Sequence, residues 1–268
     1  MKLDKYILLS VLAVLFALLD SGGAMLGFWS ITDADTRSYI LAFEFTTLCL
    51  LLLNSLFIWR RVQGVPWRRL LATGCLASLL LCIFGDVVNF NLGNRFFDSS
   101  DVVKHDYLID SVLFFAPGYA MLLLVMSYIL KHYYNVRSLL LAASLSFGIA
   151  TVSYINIVNA NAGMYVTVVS YFYSLLISLV ATSGILLWFK YGVSAPMSIW
   201  LCAIGLVLAT LADYLIGAMW IFGNDGQGFY PLARELNWIL YITSQGLVIH
   251  LPRVIELHTD KSHSNNQS

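Results

Sequence analysis

Eight apolar runs divide the chain, at roughly 6–29, 38–59, 69–92, 107–130, 138–158, 164–189, 196–222 and 236–256. A helix needs about 20 consecutive apolar residues to cross the hydrocarbon core of a bilayer. Within lipid every backbone N–H and C=O must be satisfied inside the protein, so runs of this length cross as helices. The pattern predicts an all-α, polytopic membrane protein with eight transmembrane helices. Hydrophobic residues make up 59% of the 268 and charged residues 11%. Mean hydropathy is +0.78. Soluble domains are usually about one-quarter charged, which excludes an ordinary soluble fold. The connections are short, so residues 1–257 read as one transmembrane domain. The polar stretch 258–268, "HTDKSHSNNQS", is expected to be a disordered cytoplasmic tail. "SGGA" at the end of the first run resembles a signal-peptide cleavage site, but the run is too long for that and carries Asp20, so it reads as a span.

Other classes fall away on charge and motif. The 15 basic and 15 acidic residues balance, leaving no basic face for nucleic acid. Cys49, Cys75, Cys82 and Cys202 lie in apolar runs without a CxxC pair and read as small reduced core residues. His105, His132, His250, His258 and His263 lie outside the runs or near their ends, with no HExxH spacing. The expectation is therefore no metal and no cofactor. Lysine and arginine set the orientation. One side would hold Lys2, Lys5, Arg60, Arg61, Arg68, Arg69, Lys131, Arg137, Lys190, Arg253 and Lys261, the other only Arg37, Arg95, Lys104 and Arg234. Both termini are expected on the cytoplasmic side, in a bacterial inner membrane.

Carboxylates inside the runs carry the functional signal. "LLCIFGDVVNF" places Asp86 among leucine, isoleucine, phenylalanine and valine. Asp20, Glu44, Asp110 and Asp213 lie in other runs, with no lysine or arginine at similar depth. A charged side chain at mid-span costs several kcal/mol on insertion scales and needs a reason. Asp20, Asp86 and Asp213 each stand roughly seven to nine residues before the outer end of their run, with Glu44 about one and a half turns inside its own. Asn89, Tyr154, Asn156, Tyr171, Tyr173, Tyr241 and Gln245 share that outer half, whereas the inner half is nearly pure Leu, Val and Ala. One shared level predicts a cavity open to the outer side. The alternative is that each acid bonds locally and pins helix packing. Carboxylates gathered without a buried base cannot all ionise, so a proton donor would stand beside an acceptor, as general acid–base chemistry needs.

"LCIFGDVVNFNLGNRF" and "ATLADYLIGAMWIFGNDG" each place a small residue before Asp late in an odd-numbered run. A Gly- and Asn-bearing loop follows, then a helix that begins with acids and aromatics, "HDYLIDSVLFFAPGY" and "RELNWILYITSQG". This predicts a parallel four-plus-four internal repeat, related by an axis along the membrane normal, with Asp86 and Asp213 at matching depth.

"IFGDVVNF", "VVSYFYSLLISLVATSG", "LATLADYLIGA" and "WILYITSQGLVI" together resemble the lysoplasmalogenase-like family of eight-helix membrane proteins, over nearly the whole chain. That family carries Gly-Asp in helix 3, a tyrosine at the start of helix 6, Ser-Asp in helix 7 and a Tyr-x-x-Gln-like motif in helix 8. Asp86, Tyr171, Asp213, Tyr241 and Gln245 take those places, with Ala212 in place of the serine and Tyr119 but no histidine in helix 4. The resemblance implies hydrolysis of a lysolipid vinyl ether with Asp86 and Asp213 as the catalytic pair. Tyr171, Tyr241 and Gln245 would then hold head group or water. Asn89, three residues from Asp86 on one helix face, joins the expected binding set, as do Asp20 and Glu44 by depth. The expected partner is a lipid or other amphiphilic small molecule.

The same Asp-bearing segments are also similar to the membrane input region of some diguanylate cyclases, and a sensor or ligand-binding module acting with a signalling partner is the rival reading. Retinal binding would want a mid-helix lysine and a zinc hydrolase more histidines near the acids. A proton-coupled transporter would want interrupted helices, where only Pro117 is central.

Overall fold

The computed structural model describes residues 4–31, 33–92, 106–226 and 231–257. Expectations placed on Lys2, Arg95, Lys104, His105, His258, Lys261, His263 and the tail 258–268 lie outside the described residues.

Helices α1 (Lys5–Met25), α2 (Arg37–Arg61), α3 (Pro66–Asn89), α4 (Asp106–Leu130), α5 (Val136–Ile157), α6 (Met164–Tyr191) and α7 (Met197–Leu215) follow one another through short connections. α7 continues as a π-helical segment, Ile216–Ile221, before the short α8 (Gly223–Gly226), the long α9 (Pro231–Val248) and the short α10 (Leu251–Val254). There is no strand among the described residues. Seven helices, α1 to α7, are long and apolar enough to cross a membrane, with mean hydropathy from 1.7 to 2.1.

Local chemistry sets the helix ends. Asp4 caps α1 by accepting from the N–H groups of Tyr6 (3.1 Å) and Ile7 (3.0 Å). Asn135 caps α5 through Ser138 N–H (2.8 Å). Pro66 opens α3, where its missing N–H is no loss. Arg60 and Arg61 close α2, where cations complement the C-terminal dipole. The last run, expected at 236–256, begins and ends earlier. Pro231 starts α9 at a position suited to proline, and Pro252, lacking an N–H, sits in the separate turn α10.

Helices α1, α2, α3, α4, α6, α7 and α9 close a ring in which each packs on the next and α9 returns to α1. α5 packs on the outside of α6 and is the least buried of the seven apolar helices. Ser21 Oγ donates to Glu235 O (3.1 Å) and Ser10 Oγ to Gly246 O (2.8 Å), so α9 runs antiparallel to α1 along most of its length. One core joins α3, α4, α6 and α7 around Leu71, Tyr119, Met126, Val180 and Leu206. A second joins α1, α2, α3 and α9 around Ala17, Leu51, Leu79 and Ile242. The half of the bundle away from the acids is less uniform than its Leu-rich sequence predicts. Asn54 donates to Tyr6 O (2.7 Å) and Ser10 Oγ (3.0 Å), and Ser10 also meets His250 Nε2 (3.0 Å).

Candidate functional site

Asp86 and its tyrosine are positioned by a glycine. A Cβ on Gly85 would come 2.7 Å from the ring of Phe115 on α4, so only glycine lets that ring lie against α3. Phe115 in turn meets Tyr241 edge-on, with ring centroids 6.0 Å apart at 89°. Tyr241 hydroxyl then donates to Asp86 Oδ2 at 2.8 Å, a bond that links α9 to α3. Asp86 is 4% exposed and Tyr241 is likewise buried.

Asp213 has a parallel arrangement. Tyr173 on α6 donates to Asp213 Oδ2 at 3.0 Å. Tyr119 packs beside Tyr173, with centroids 6.2 Å apart, and its buried hydroxyl also lies close to Asp213. The two carboxylates are close enough to interact electrostatically. Asp86 accepts the Tyr241 phenol and Asp213 the Tyr173 phenol, each on Oδ2. Just beyond Asp213 the helix widens. Phe222 N–H donates to Gly217 O (3.0 Å), a five-residue step of the π kind often found at functional sites.

Both aspartates line one cavity of about 500 Å³, within the roughly 300–1,000 Å³ of small-molecule sites. Its polar end holds Asp86, Asn89, Tyr173, Asp213, Asn237, Trp238 and Tyr241. Its walls are largely aliphatic and aromatic, with Val112 and Phe115 from α4, Ile149 and Ala150 from α5, Ile177 and Ile185 from α6, and Val207 and Leu211 from α7. Hydroxyls of Ser146, Ser174, Ser178 and Thr182 interrupt them. Lining residues on α6 extend from Ser170 to Ile185, about 22 Å of helical rise.

A second polar group lies beside this polar end. Arg234, the first long cation of α9, donates to Glu44 Oε1 on α2 (2.5 Å) and to Glu235 Oε1 (2.6 Å). Asp20 is fully buried within electrostatic reach of these three. Trp29 N–H donates to the Asp20 carbonyl (3.0 Å), folding the α1–α2 connection back over this cluster. Arg234 and Ile31 border the main cavity and also an outer depression formed by Phe28, Trp29, Ser30, Asp33, Thr36 and Glu235.

Of the expected site residues, Glu44, Asp86, Asn89, Asp213 and Tyr241 line the main cavity. Asp20 is not part of that wall but lies within electrostatic reach of Glu44. Tyr171 turns away, with its hydroxyl on Thr151 Oγ1 (3.1 Å) and its ring on Tyr154 (5.3 Å). Two residues further along α6 a side chain is rotated by about 200°, and there Tyr173 takes the place on Asp213. Gln245 is buried one turn inward from Tyr241, outside the cavity wall. Asp110 accepts from Tyr165 hydroxyl at 3.1 Å. Arg234 corrects the expectation of acids without a buried base. A last run beginning at 236 leaves Arg234 among the outer-side cations, whereas α9 starts five residues earlier and buries it against Glu44. No cluster of three or more His, Cys, Asp or Glu side chains among the described residues has the geometry of a metal site.

Comparison of the chain with protein-family models, curated proteins and solved structures found no match.

Proposed function

We propose that the protein is a membrane-embedded lipid hydrolase of lysoplasmalogenase type, which cleaves the vinyl ether of a single-chain lysolipid with Asp86 and Asp213 as its acid–base pair. One observation carries this reading. The two carboxylates come from different helices, line the same cavity, and each holds a tyrosine hydroxyl on one oxygen. The apolar walls suit an alkenyl chain, and the polar end suits the ether and the group beyond it.

The chemistry needs no metal. One carboxylic acid donates its proton to the alkene carbon remote from the ether oxygen, giving an oxocarbenium ion beside the other carboxylate. That carboxylate takes a proton from water as the water adds. The hemiacetal then breaks its carbon–oxygen bond, releasing an aldehyde and an alcohol, while one carboxyl protonates the departing oxygen and the other takes the hydroxyl proton. Tyr241 and Tyr173 hold their carboxylates in place by donating to Oδ2.

The reading includes eight membrane crossings, with α9 as the last. Its antiparallel course along α1 supports this. The four-plus-four repeat is supported by the pairing of α3 with α4 and of α7 with α9, each pair carrying one of the two proposed catalytic aspartates. The reading also sets the protein in a bacterial inner membrane with both termini cytoplasmic, an orientation that the eleven-to-four split of lysine and arginine in the sequence supports.

The test is aldehyde release from a panel of single-chain vinyl-ether lipids by purified protein. Saturable release that disappears in folded Asp86→Asn and Asp213→Asn is the expected result. Saturable binding with no aldehyde from any substrate would replace this reading with the ligand-binding sensor.

A further inference from the structure

One side of the cavity is not closed by a helix interface. α5 packs on α6 and has no comparable contact with α4 or α7, so a slot runs between α5 and α7 with α6 as its floor. Ile149 of α5 and Leu211 of α7 line it and are 69% and 44% exposed. Its outer end is covered. There the Tyr154 ring meets Phe222 edge-on, with centroids 5.8 Å apart at 82°, and Ile157 packs with Ile216, Trp220 and Ile221. Nor does the floor open between α6 and α7, because a Cβ on Gly184 would lie only 2.7 Å from Ala203 O. Among the described residues the free side of the slot therefore faces sideways, along helices apolar enough to lie in hydrocarbon.

The floor suits a chain and not a polar group. Ser174, Ser178 and Thr182 recur every fourth residue along α6 and line the cavity. Their hydroxyls donate to carbonyls of their own helix, at Tyr171 (2.7 Å), Leu175 (2.8 Å) and Ser178 (2.9 Å). With those donors spent, the floor asks for no hydrogen bond from a ligand. From Ser174 to Ile185 the slot is about 16 Å long. A helix of that length, about 10 Å across, would need roughly 1,200 Å³, more than twice the whole cavity of about 500 Å³. One extended hydrocarbon chain has room where a partner's helix has none. The outer end of the floor adjoins Tyr173, which holds Asp213.

We propose that this slot holds the hydrophobic chain of the ligand, that the chain enters sideways from the bilayer between α5 and α7, and that Ala181 and Ile185 limit the chain length accepted. The proposal rests on the reading of the cavity as an amphiphile site, but not on hydrolysis there.

The experiment uses the full chain in lipid nanodiscs with the octyl, dodecyl and hexadecyl saturated ethers of glycerophosphocholine, which lack the vinyl bond that the proposed chemistry protonates. Each displaces a radiolabelled octyl ether. Ala181→Trp is expected to weaken the hexadecyl ether at least tenfold relative to the octyl ether. The ratio is compared with that of the unaltered protein, so that partition into the bilayer cancels. A hexadecyl ether with a photoactivatable diazirine at its chain end is expected to label Thr182, Ile185 and Val207 in preference to Leu15 of α1 and Val152 of α5, which are exposed outside the cavity wall. An unchanged ratio in folded Ala181→Trp overturns the proposal. So does equal labelling inside and outside the slot, which would mean surface lipid only. A slot left unlabelled in protein that runs as a dimer assigns it to a second copy of the chain and overturns the proposal too. The expected ratio and labels without aldehyde from any vinyl ether would keep the chain slot and remove the hydrolase reading alone. The labelling pattern of the unaltered protein decides the matter if Ala181→Trp does not fold.

Discussion

At Asp86 and Asp213 a carboxylate meets a tyrosine hydroxyl from a neighbouring helix, and the rest of the site is built around those two bonds. If the pair performs acid–base chemistry, Asp86→Asn and Asp213→Asn each remove a titrating group while keeping shape. Each should lower kcat by roughly 10²–10⁴-fold in protein that still elutes as a folded species, and full turnover in either variant would rule out the assignment. Arg234 makes a different kind of claim. Arg234→Met leaves Glu44 buried without its counter-charge, and breaking such a pair costs about 3–5 kcal/mol. Thermal unfolding should show that loss, and Glu44→Gln added to Arg234→Met should restore part of it. A double variant no more stable than Arg234→Met would show that the pair does not compensate charge. The sequence revealed the acids because an intramembrane carboxylate stands out against Leu and Val. It hid Arg234 because a cation beside a loop reads as solvated until the helix start is known. It pointed to Tyr171 over Tyr173 because order along the chain does not fix which tyrosine faces inward.

Helix by helix, hydropathy located the long apolar helices α1 to α7 closely, because length and apolarity are properties of one segment. What each helix touches is a property of two, and that was much less legible. α5 is nearly as apolar as its neighbours yet sits outside the ring on α6, supplying Ile149, Ala150 and Tyr154 to the cavity wall. The interface of α3 with α4 shows how small residues set such neighbours. Gly85 admits the Phe115 ring, and a Cβ on Gly118 would lie 2.8 Å from Cys82 Sγ and 3.1 Å from Ser78 O. Gly85→Ala should therefore displace Phe115 and cost about 1–3 kcal/mol through overpacking. It should also reduce turnover although Asp86 is untouched, because Phe115 supports the Tyr241 that holds the carboxylate. A Gly85→Ala protein with unchanged unfolding temperature and turnover would mean that Phe115 moves aside freely and supports nothing.

Across the whole molecule, the two ends of the described chain are joined. Asp4 caps α1 and also pairs with Arg253 of α10, whose guanidinium lies 4.2 Å from the centre of the Tyr6 ring. Burial pushes the Asp4 carboxyl up, but the Arg253 guanidinium and the N–H groups of α1 outweigh it and hold it below its ordinary value. A carboxyl lowered on folding stabilises the folded state fully above its unfolded value, about 3.9. That contribution is lost as pH falls through the lower folded value. Asp4→Ala should cost on the order of 1 kcal/mol near neutral pH, chiefly through the lost cap. The gap in unfolding temperature between this variant and the unaltered protein should narrow as pH falls below about 4, and a gap unchanged at pH 3 would assign the effect to something other than the carboxylate. The same clasp bears on orientation. Since Asp4 and Arg253 meet, α1 begins and α10 ends on one face of the bundle, the face that also carries Arg60, Arg61, Lys131 and Lys190 at the ends of α2, α4 and α6. With cations retained on the cytoplasmic side, the proposed orientation puts both termini there. A reporter active only in the cytoplasm should therefore be active when fused at either end, and one active only outside should be silent. An outward C-terminus would invert the molecule and place the Asp86–Asp213 cavity toward the cytoplasm.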